Sequence, residues 1–337
     1  MELLEDVYSS SLVRWAADKP EVVVLSGDLT ASVEIAAFRD AYPQRFFSMG
    51  MAEQNMLGWA GGLAREGYTP YVHTFAVFLY RRPFDQLSMS IAYPNLRVRL
   101  IGFLPGITTP GGVTHQAIED LSVLRCVPNM TIFEMGDATD VESILDVAQA
   151  VEGPVYVRML RGQLPRLFPA SEPLRFNQAR VLRKGSDLSL ISTGICTEEA
   201  MRVTQALSER GVSIQHLHVS TIKPFSDPVV KDALQSAKYG VITFENHSIL
   251  GGTGTAVAES MAEMAAAAPL VRVGLKDTYS HGATLQYLMR EHDLNAIGLV
   301  RRIETLLHTS FNLTEADLAG VRSDTTATTS ADQLEAL

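Results

Sequence analysis

Cysteine is nearly absent from this sequence. Cys126 and Cys196 are the two cysteines among 337 residues. Neither has a second thiol or a histidine at metal-ligand spacing, so the sequence offers no cysteine pattern for a metal site. We therefore interpret both as small, buried, apolar residues.

Positive charge and long apolar runs are also scarce. The sequence has 28 Lys and Arg against 38 Asp and Glu, which gives a formal net charge of −10. Such a chain is not expected to bind nucleic acid or an anionic membrane. No apolar run approaches the ~18 residues of a membrane span, and the acidic, amphipathic N-terminus does not resemble a signal peptide. We expect a cytoplasmic protein.

Short apolar runs alternate with helical patterns along the chain. With 46% hydrophobic residues, the sequence can bury a substantial core and has room for about two domains. The runs typical of buried parallel strands are "EVVVLSGD" (21–28), "LRVRLIGF" (96–103), "MTIFEM" (130–135) and "PVYVRM" (154–159). The pattern predicts a doubly wound, mostly parallel sheet with its site at the carboxyl ends of the strands.

A proline-rich stretch interrupts this alternation after residue 164. The strand and helix patterns then restart at "DLSLIST" (187–193) and continue through "YGVITFEN" (239–246) and the glycine-rich "GGTG" (251–254), which we interpret as a tight turn before a helix. We predict a domain over residues 1–165, a linker over 166–180, a smaller α/β domain over 181–312, and a polar, flexible tail over 313–337.

The segment "MGMAEQNMLGWAGG" (49–62) combines one acid with three glycines in a predicted helix. Glu53 falls in the first helical turn, where an acid is ordinarily favoured. Gly58, Gly61 and Gly62 each cost about 1 kcal/mol relative to alanine inside a helix. We therefore expect another backbone or a flat ligand to approach this helix closely, as at a subunit interface.

Two further stretches carry candidate residues. "YVHTFAVFLYRRPFDQL" (71–87) contains Phe75 and Phe78 beside the basic pair Arg81 and Arg82, and "GGVTHQAIEDL" (111–121) places His115 in a loop before a helix. Taken alone, the aromatic residues also suit a core strand that runs into a helix. A single loop histidine is also more often without a role than catalytic.

Together, in this order and spacing, these motifs resemble the pyrimidine-binding half of transketolase. The similarity extends through "LRGQLP" (160–165) into "FENHSILGGTGTAVAE" (244–259), which resembles the small C-terminal domain of that family. The resemblance implies two doubly wound α/β domains. It also implies thiamine-diphosphate-dependent transfer of a two-carbon ketol unit from a ketose or similar donor to an aldehyde or other acceptor.

The half of the family that holds the cofactor's diphosphate is not represented. Leu29 follows "GD" at 27–28, where the glycine-aspartate-glycine motif of thiamine enzymes has a second glycine, so we assign no metal site to this chain. The resemblance implies the C-terminal subunit of a split transketolase. An N-terminal partner subunit would hold magnesium and the diphosphate, with two copies of each subunit in the assembly.

The resemblance assigns the cofactor contacts residue by residue. Glu53 matches the glutamate that hydrogen-bonds N1′ of the aminopyrimidine and favours its imino tautomer, a task that suits a carboxyl shielded from water. Phe78 matches the aromatic residue that stacks on the pyrimidine, and Phe75 a neighbouring wall of the pocket. Asp28 and Arg81 are assigned to the cofactor-binding residues as well.

The substrate contacts follow in the same way. His115 matches a catalytic histidine that faces the sugar hydroxyls, where an imidazole can accept or donate a proton. Ser32 matches a residue that helps to bind the substrate phosphate, and Arg161 the arginine that clamps the acceptor's phosphate.

Several positions depart from the sugar transketolases. Phe103 and Gly111 stand where those enzymes carry a histidine and an aspartate that recognise the substrate, and Arg81 replaces a tyrosine. No arginine occupies the place of the family's second phosphate-binding arginine in "MELLEDVY". We therefore expect Phe103 to line a more apolar substrate pocket and the donor or acceptor to be atypical.

Two alternatives remain open. The chain could be the beta subunit of a 2-oxo-acid dehydrogenase, although "THQ" and "LRGQLP" speak against this. It could also be a non-catalytic paralogue, although the retention of Glu53, Phe75 and Phe78 argues against the loss of function.

Overall fold

The structure is a computed structural model that describes residues 3–320. Within these residues the chain forms two large sheets and one two-stranded sheet. Most of the predicted polar tail, from residue 321 onward, lies outside the described residues. The predicted domain limits stay a prediction.

The first part of the chain alternates strands and helices. Its elements are β1 (Leu3–Leu4), α1 (Val7–Trp15), β2 (Val22–Ser26), α2 (Ala36–Ala41), β3 (Phe46–Ser48), α3 (Glu53–Arg65), β4 (Thr69–Phe75), α4 (Ala76–Tyr80), β5 (Arg99–Phe103), α5 (Asp120–Arg125), β6 (Thr131–Glu134), α6 (Ala138–Ala150), β7 (Val155–Met159) and β8 (Leu164–Pro165). A π-helical segment, Gln86–Ala92, follows α4.

The second part repeats this alternation. Its elements are β9 (Arg180–Arg183), β10 (Leu188–Ser192), α7 (Cys196–Ser208), β11 (Ile214–His218), β12 (Thr221–Lys223), α8 (Pro228–Ser236), β13 (Gly240–Ser248), α9 (Thr253–Glu263), β14 (Leu270–Leu275), α10 (Leu285–Glu291) and α11 (Ala296–Leu307).

Both large sheets are mostly parallel, which confirms the predicted fold class. The first has the strand order β12-β6-β7-β5-β4-β2-β3, and the second has the order β14-β13-β10-β11-β9. The antiparallel strands are β12 in the first sheet and β9 in the second. Strands β2, β4, β5, β6 and β7 are buried at every residue, as expected of parallel strands covered by helices on both faces.

The predicted turn at "GGTG" is present and begins α9. The carboxylate of Glu245 accepts hydrogen bonds from the backbone N–H groups of Thr253 (2.7 Å) and Gly254 (2.8 Å). Burial raises the pKa of Glu245 to about 7, and these two hydrogen bonds oppose that shift. Two backbone N–H groups at the N-terminus of α9 are therefore hydrogen-bonded by the Glu245 side chain.

The expectation of two buried cysteines is wrong for one of them. Cys196 is buried, whereas Cys126 is exposed. Cys126 directly follows α5, where the buried positions are taken by its neighbours Leu124 and Val127. Its Sγ instead donates to the backbone oxygen of Val123 at 2.9 Å.

The three glycines of α3 have different surroundings. A Cβ added at Gly61 would lie 2.7 Å from the backbone oxygen of Ser90, so the π-helical segment of the same chain explains this glycine. A Cβ added at Gly58 or Gly62 would meet no atom within 4 Å, and both residues lie on the exposed face of α3.

No helix in the described residues is long and apolar enough to cross a membrane.

The different surroundings of Gly61 and Gly58 predict opposite effects of alanine substitution. We expect Gly61→Ala to lower the free energy of unfolding by about 1–3 kcal/mol, because the Ser90 backbone must move. Gly58→Ala should raise it by about 0.5–1 kcal/mol, because alanine is the better helix former. Urea denaturation of both variants checks this. Equal stability of the two would show that the contact with Ser90 is not restrictive.

Candidate active site

Three rings form the centre of the candidate site, at the carboxyl end of β4. Phe75 ends β4 and Phe78 lies one turn later in α4. The two phenyl rings are nearly parallel, with centroids 6.1 Å apart. The imidazole of His115 meets both edge to face, with its centroid 5.5 Å from Phe78 and 6.1 Å from Phe75. In the sequence His115 follows the two phenylalanines by about forty positions, and the fold brings the three side chains together.

Glu53 lies beside this cluster at the start of α3. Its side chain is only 3% exposed, and its Oε1 accepts a hydrogen bond from Nη1 of Arg82 at 2.8 Å. The Cζ atom of Arg82 lies 4.2 Å from the centre of the Phe78 ring. Residues 51–55 and Arg82 line a depression of about 450 Å³. Arg82 thus connects the acid to the rings.

His115 is half-buried and its basicity is reduced. Burial lowers the pKa of His115, and the positive charge of Arg82 lowers it further, while a hydrogen bond involving the Gly111 backbone acts in the opposite direction. Its Nδ1 lies 2.8 Å from the hydroxyl of Thr114. These effects favour a neutral imidazole, which can accept as well as donate a proton.

Arg81 holds the loop that carries His115. Its guanidinium pairs with Glu119 through Nε (2.7 Å) and Nη2 (2.6 Å). It also donates to the backbone oxygens of Val113 (3.3 Å) and Gln116 (3.2 Å). The predicted cofactor contact of Arg81 stays a prediction, since these partners engage the side chain here.

Ser32 and Arg161 lie together near Phe75. Nη1 of Arg161 donates to the backbone oxygen of Ser32 at 2.5 Å, and its Cζ lies 5.7 Å from the centre of the Phe75 ring. The two side chains are 2% and 3% exposed, respectively. Burial lowers the pKa of Arg161 to about 10, while nearby Glu34 opposes the shift. Their predicted phosphate contact stays a prediction, which this burial does not favour.

Asp28, Phe103 and Gly111 complete the predicted set. Asp28 is exposed just after β2, in the left-handed backbone region with φ of 68°. Phe103 is fully buried, and its ring packs edge to face on Tyr8 with centroids 5.4 Å apart. A Cβ at Gly111 would lie 3.1 Å from the His115 ring, so a larger residue here would press on the imidazole.

Two groups of the site were not assigned from the sequence. Arg82 contacts Glu53 and Phe78, and Glu119 anchors Arg81. The sequence does show Arg82 next to Arg81 and Glu119 beside the histidine loop, but not the partner of either. No group of three His, Cys, Asp or Glu side chains between residues 3 and 320 could hold a metal ion.

Comparisons with known proteins cover most of the chain. Residues 4–166 match the family described as transketolase, pyrimidine binding domain, and residues 177–294 match transketolase, C-terminal domain. The 6-deoxy-6-sulfo-D-fructose transketolase subunit SqwH of Clostridium sp. (strain MSTE9) is 36% identical over 300 residues, which are 88% of this chain and 92% of the relative. A subunit of the apulose-4-phosphate transketolase of Actinobacillus succinogenes is 32% identical over 83% of this chain and 90% of the relative.

A solved structure is similar throughout its length. It is described as a split gene transketolase, inactive beta4 tetramer. It has a TM-score of 0.83 and 34% sequence identity, and it covers 91% of this chain and 99% of its own.

Proposed function

Because this chain belongs to the transketolase family, among the C-terminal subunits of split enzymes, we propose that it transfers a two-carbon ketol unit once joined to an N-terminal partner. The observation that carries the proposal is the buried Glu53, which Arg82 connects to the ring cluster of Phe75, Phe78 and His115. A buried carboxyl, connected through Arg82 to a flat aromatic ring and an imidazole, suits a heteroaromatic cofactor together with a proton-exchanging substrate.

The described residues fit the pyrimidine end of thiamine diphosphate, the cofactor that the family implies. Glu53 offers a shielded carboxyl at a depression of about 450 Å³, and Phe78 offers a partly open ring. When bound, the cofactor supplies the nucleophilic carbon that carries the two-carbon unit. We assign magnesium and the diphosphate to the partner subunit.

Each side chain then has a task of its own. Glu53 would hydrogen-bond the pyrimidine N1′ and so set its tautomer, while Phe78 stacks on its face and Phe75 supports the stack from behind. His115 would exchange a proton with a substrate hydroxyl, which its lowered pKa favours near neutral pH. Arg81 would keep the His115 loop against the rings.

The partner requirement has support from the structural neighbour. Its description gives four copies of a beta subunit without activity. For this chain we propose the corresponding dependence: the isolated subunit is inactive, and two copies of each subunit form the enzyme in the cytoplasm.

The substrate is proposed to differ from the usual pentose phosphates. The positions of the family's sugar-reading histidine and aspartate hold Phe103, which is buried against Tyr8, and Gly111, which leaves only enough space for the His115 ring. Two relatives are named for 6-deoxy-6-sulfo-D-fructose and apulose 4-phosphate. An atypical ketose, or an atypical acceptor, is therefore the proposed substrate class.

A reconstitution experiment tests this function. We expect no turnover by the chain alone, and two-carbon transfer after addition of its N-terminal partner, thiamine diphosphate and magnesium. In a donor and acceptor panel, xylulose 5-phosphate with ribose 5-phosphate should be at least about tenfold less efficient, by kcat/KM, than the best pair, since recognition groups for these sugars are missing.

Other results would change the assignment. Efficient turnover of xylulose 5-phosphate and ribose 5-phosphate would contradict an atypical substrate. Oxidative decarboxylation of a 2-oxo acid with a lipoyl-domain acceptor would favour the beta subunit of a 2-oxo-acid dehydrogenase. No turnover with any pair would favour a non-catalytic paralogue.

A further inference from the structure

The guanidinium of Arg82 lies against both groups that an aminopyrimidine would need. Its Nη1 donates to Glu53 at 2.8 Å, and its Cζ lies 4.2 Å from the centre of the Phe78 ring. A guanidinium is planar and can stack on an aromatic face while it donates hydrogen bonds within its own plane. The proposed function gives the same two contacts, stacking on Phe78 and a hydrogen bond with Glu53, to the cofactor.

We propose that Arg82 occupies the pyrimidine site of the cofactor-free chain and must leave it before the aminopyrimidine can bind. This inference rests on the proposed function of Glu53 and Phe78. It adds a residue that controls access to the cofactor site.

The placement is specific to Arg82 among the arginines around the rings. Arg81 is directed to Glu119 and the His115 loop, and Arg161 is buried near Phe75. Within residues 3–320, the ion pair with Arg82 is the one that Glu53 forms. The occupancy therefore follows from this side chain and not from a general excess of positive charge.

Simultaneous occupation is sterically excluded. Carbon atoms in contact are about 3.5–4.0 Å apart, so a group 4.2 Å above the ring centre leaves no room for a second flat group on the same face. The Arg82 side chain is 48% exposed, so its guanidinium can turn into solvent by side-chain rotation. The backbone can stay in place during the exchange.

The ion pair between Arg82 and Glu53 stabilises the free subunit. An unpaired carboxylate at 3% exposure would be costly, and Arg82 compensates its charge until the cofactor arrives. The same contact must be broken when the cofactor binds, so Arg82 should weaken the cofactor affinity of the native chain.

The first test needs no cofactor. We would assign the side-chain Nε–H NMR signal of Arg82 in the full chain from its loss in Arg82→Met. Glu53→Gln should shift this signal, while Glu66→Gln, the same substitution at the C-terminal end of α3, should leave it unchanged. In Arg82→Met the pKa of His115 should rise, because a nearby positive charge is removed. An Arg82 signal that is insensitive to Glu53→Gln would overturn the proposal.

The second test is a calorimetric titration with thiamine diphosphate, on the full chain alone and in the assembled enzyme. Arg82→Met should lower the dissociation constant about three- to tenfold, the range expected when an ion pair with one exposed partner and a cation–π contact no longer compete. Arg82→Lys keeps the charge but not the planar stack and should give an intermediate value. Arg65→Met, at an exposed position of α3, should leave the constant unchanged.

The outcomes separate this inference from the proposed function. Equal or weaker binding by Arg82→Met would overturn the displacement of Arg82. The pyrimidine site would still stand in that case if Phe78→Leu weakened binding. If thiamine diphosphate bound none of these forms, the proposed function would fail and the Arg82–Glu53 pair would be a structural contact only.

Discussion

Replacing Glu53 by glutamine is expected to lower kcat of the assembled enzyme by about 10²–10⁴-fold, the usual contribution of a positioned acid–base group. Glutamine keeps the size of the side chain, but it cannot exchange a proton with the pyrimidine. The side chain is buried at the start of α3, so water cannot easily take over its task. The measurement is kcat with saturating cofactor and the best substrate pair of the panel.

Two controls make this result specific. Glu66→Gln, an exposed glutamate at the C-terminal end of the same helix, should retain full activity. Size-exclusion chromatography should show that Glu53→Gln still assembles with the partner. An unchanged kcat in the assembled Glu53→Gln enzyme would exclude the proposed role of Glu53 and support a non-catalytic chain.

The fold could be predicted largely because its strands are buried on both faces. Runs such as "EVVVLSGD" and "PVYVRM" have no polar alternation, and the structure covers β2 and β7 completely. The exposure of Cys126 could not be predicted in this way. A cysteine just after a helix takes whichever side its neighbours leave, and Leu124 and Val127 occupy the core positions here.

The candidate site could be predicted in part. The order of the motifs predicted that Glu53, Phe78 and His115 belong to one site, and the contacts through Arg82 and the rings bring them together. The different partners of Arg81 and Arg82 could not be predicted. The two residues are adjacent after α4, and their directions depend on two distant acids, Glu119 and Glu53, whose positions require the folded chain.

The packing of α3 shows the same limit. Its glycines were expected to serve a close approach at a subunit interface, and Gly61 instead accommodates Ser90 of the same chain. The sequence indicates that a small residue is needed at this position, but it does not indicate which backbone segment approaches it. Gly58 and Gly62, which face open space, remain the two positions where the interface expectation applies.

A buried arginine network next to the candidate site was not predicted either. Arg158 is the penultimate residue of the otherwise apolar run "PVYVRM" and is completely buried. Its Nε donates to Asp120 at 2.9 Å and its Nη1 to Glu134. Its Nη2 donates to the backbone oxygens of Ala117 (3.2 Å) and Asn246 (3.0 Å). One side chain thus connects β7, the His115 loop and β13 of the second sheet.

Arg158→Met should therefore lower the free energy of unfolding by about 3–5 kcal/mol, the usual cost of breaking a buried ion pair from one side. The methionine fills much of the space, but it leaves Asp120 and Glu134 without their cation. Urea denaturation of the full chain measures the change. Failure of the variant to accumulate in folded form would be a larger effect in the same direction.

A second substitution identifies the cause of this loss. Arg158→Met combined with Glu134→Gln should be more stable than Arg158→Met alone, because one uncompensated buried charge is removed. Arg39→Met, which breaks the exposed pair with Asp40 (2.8 Å), should change the free energy of unfolding by less than about 1 kcal/mol. If Arg158→Met were as mild as Arg39→Met, the charge network would not hold the two sheets together, and Arg81 and apolar packing would have to position the His115 loop.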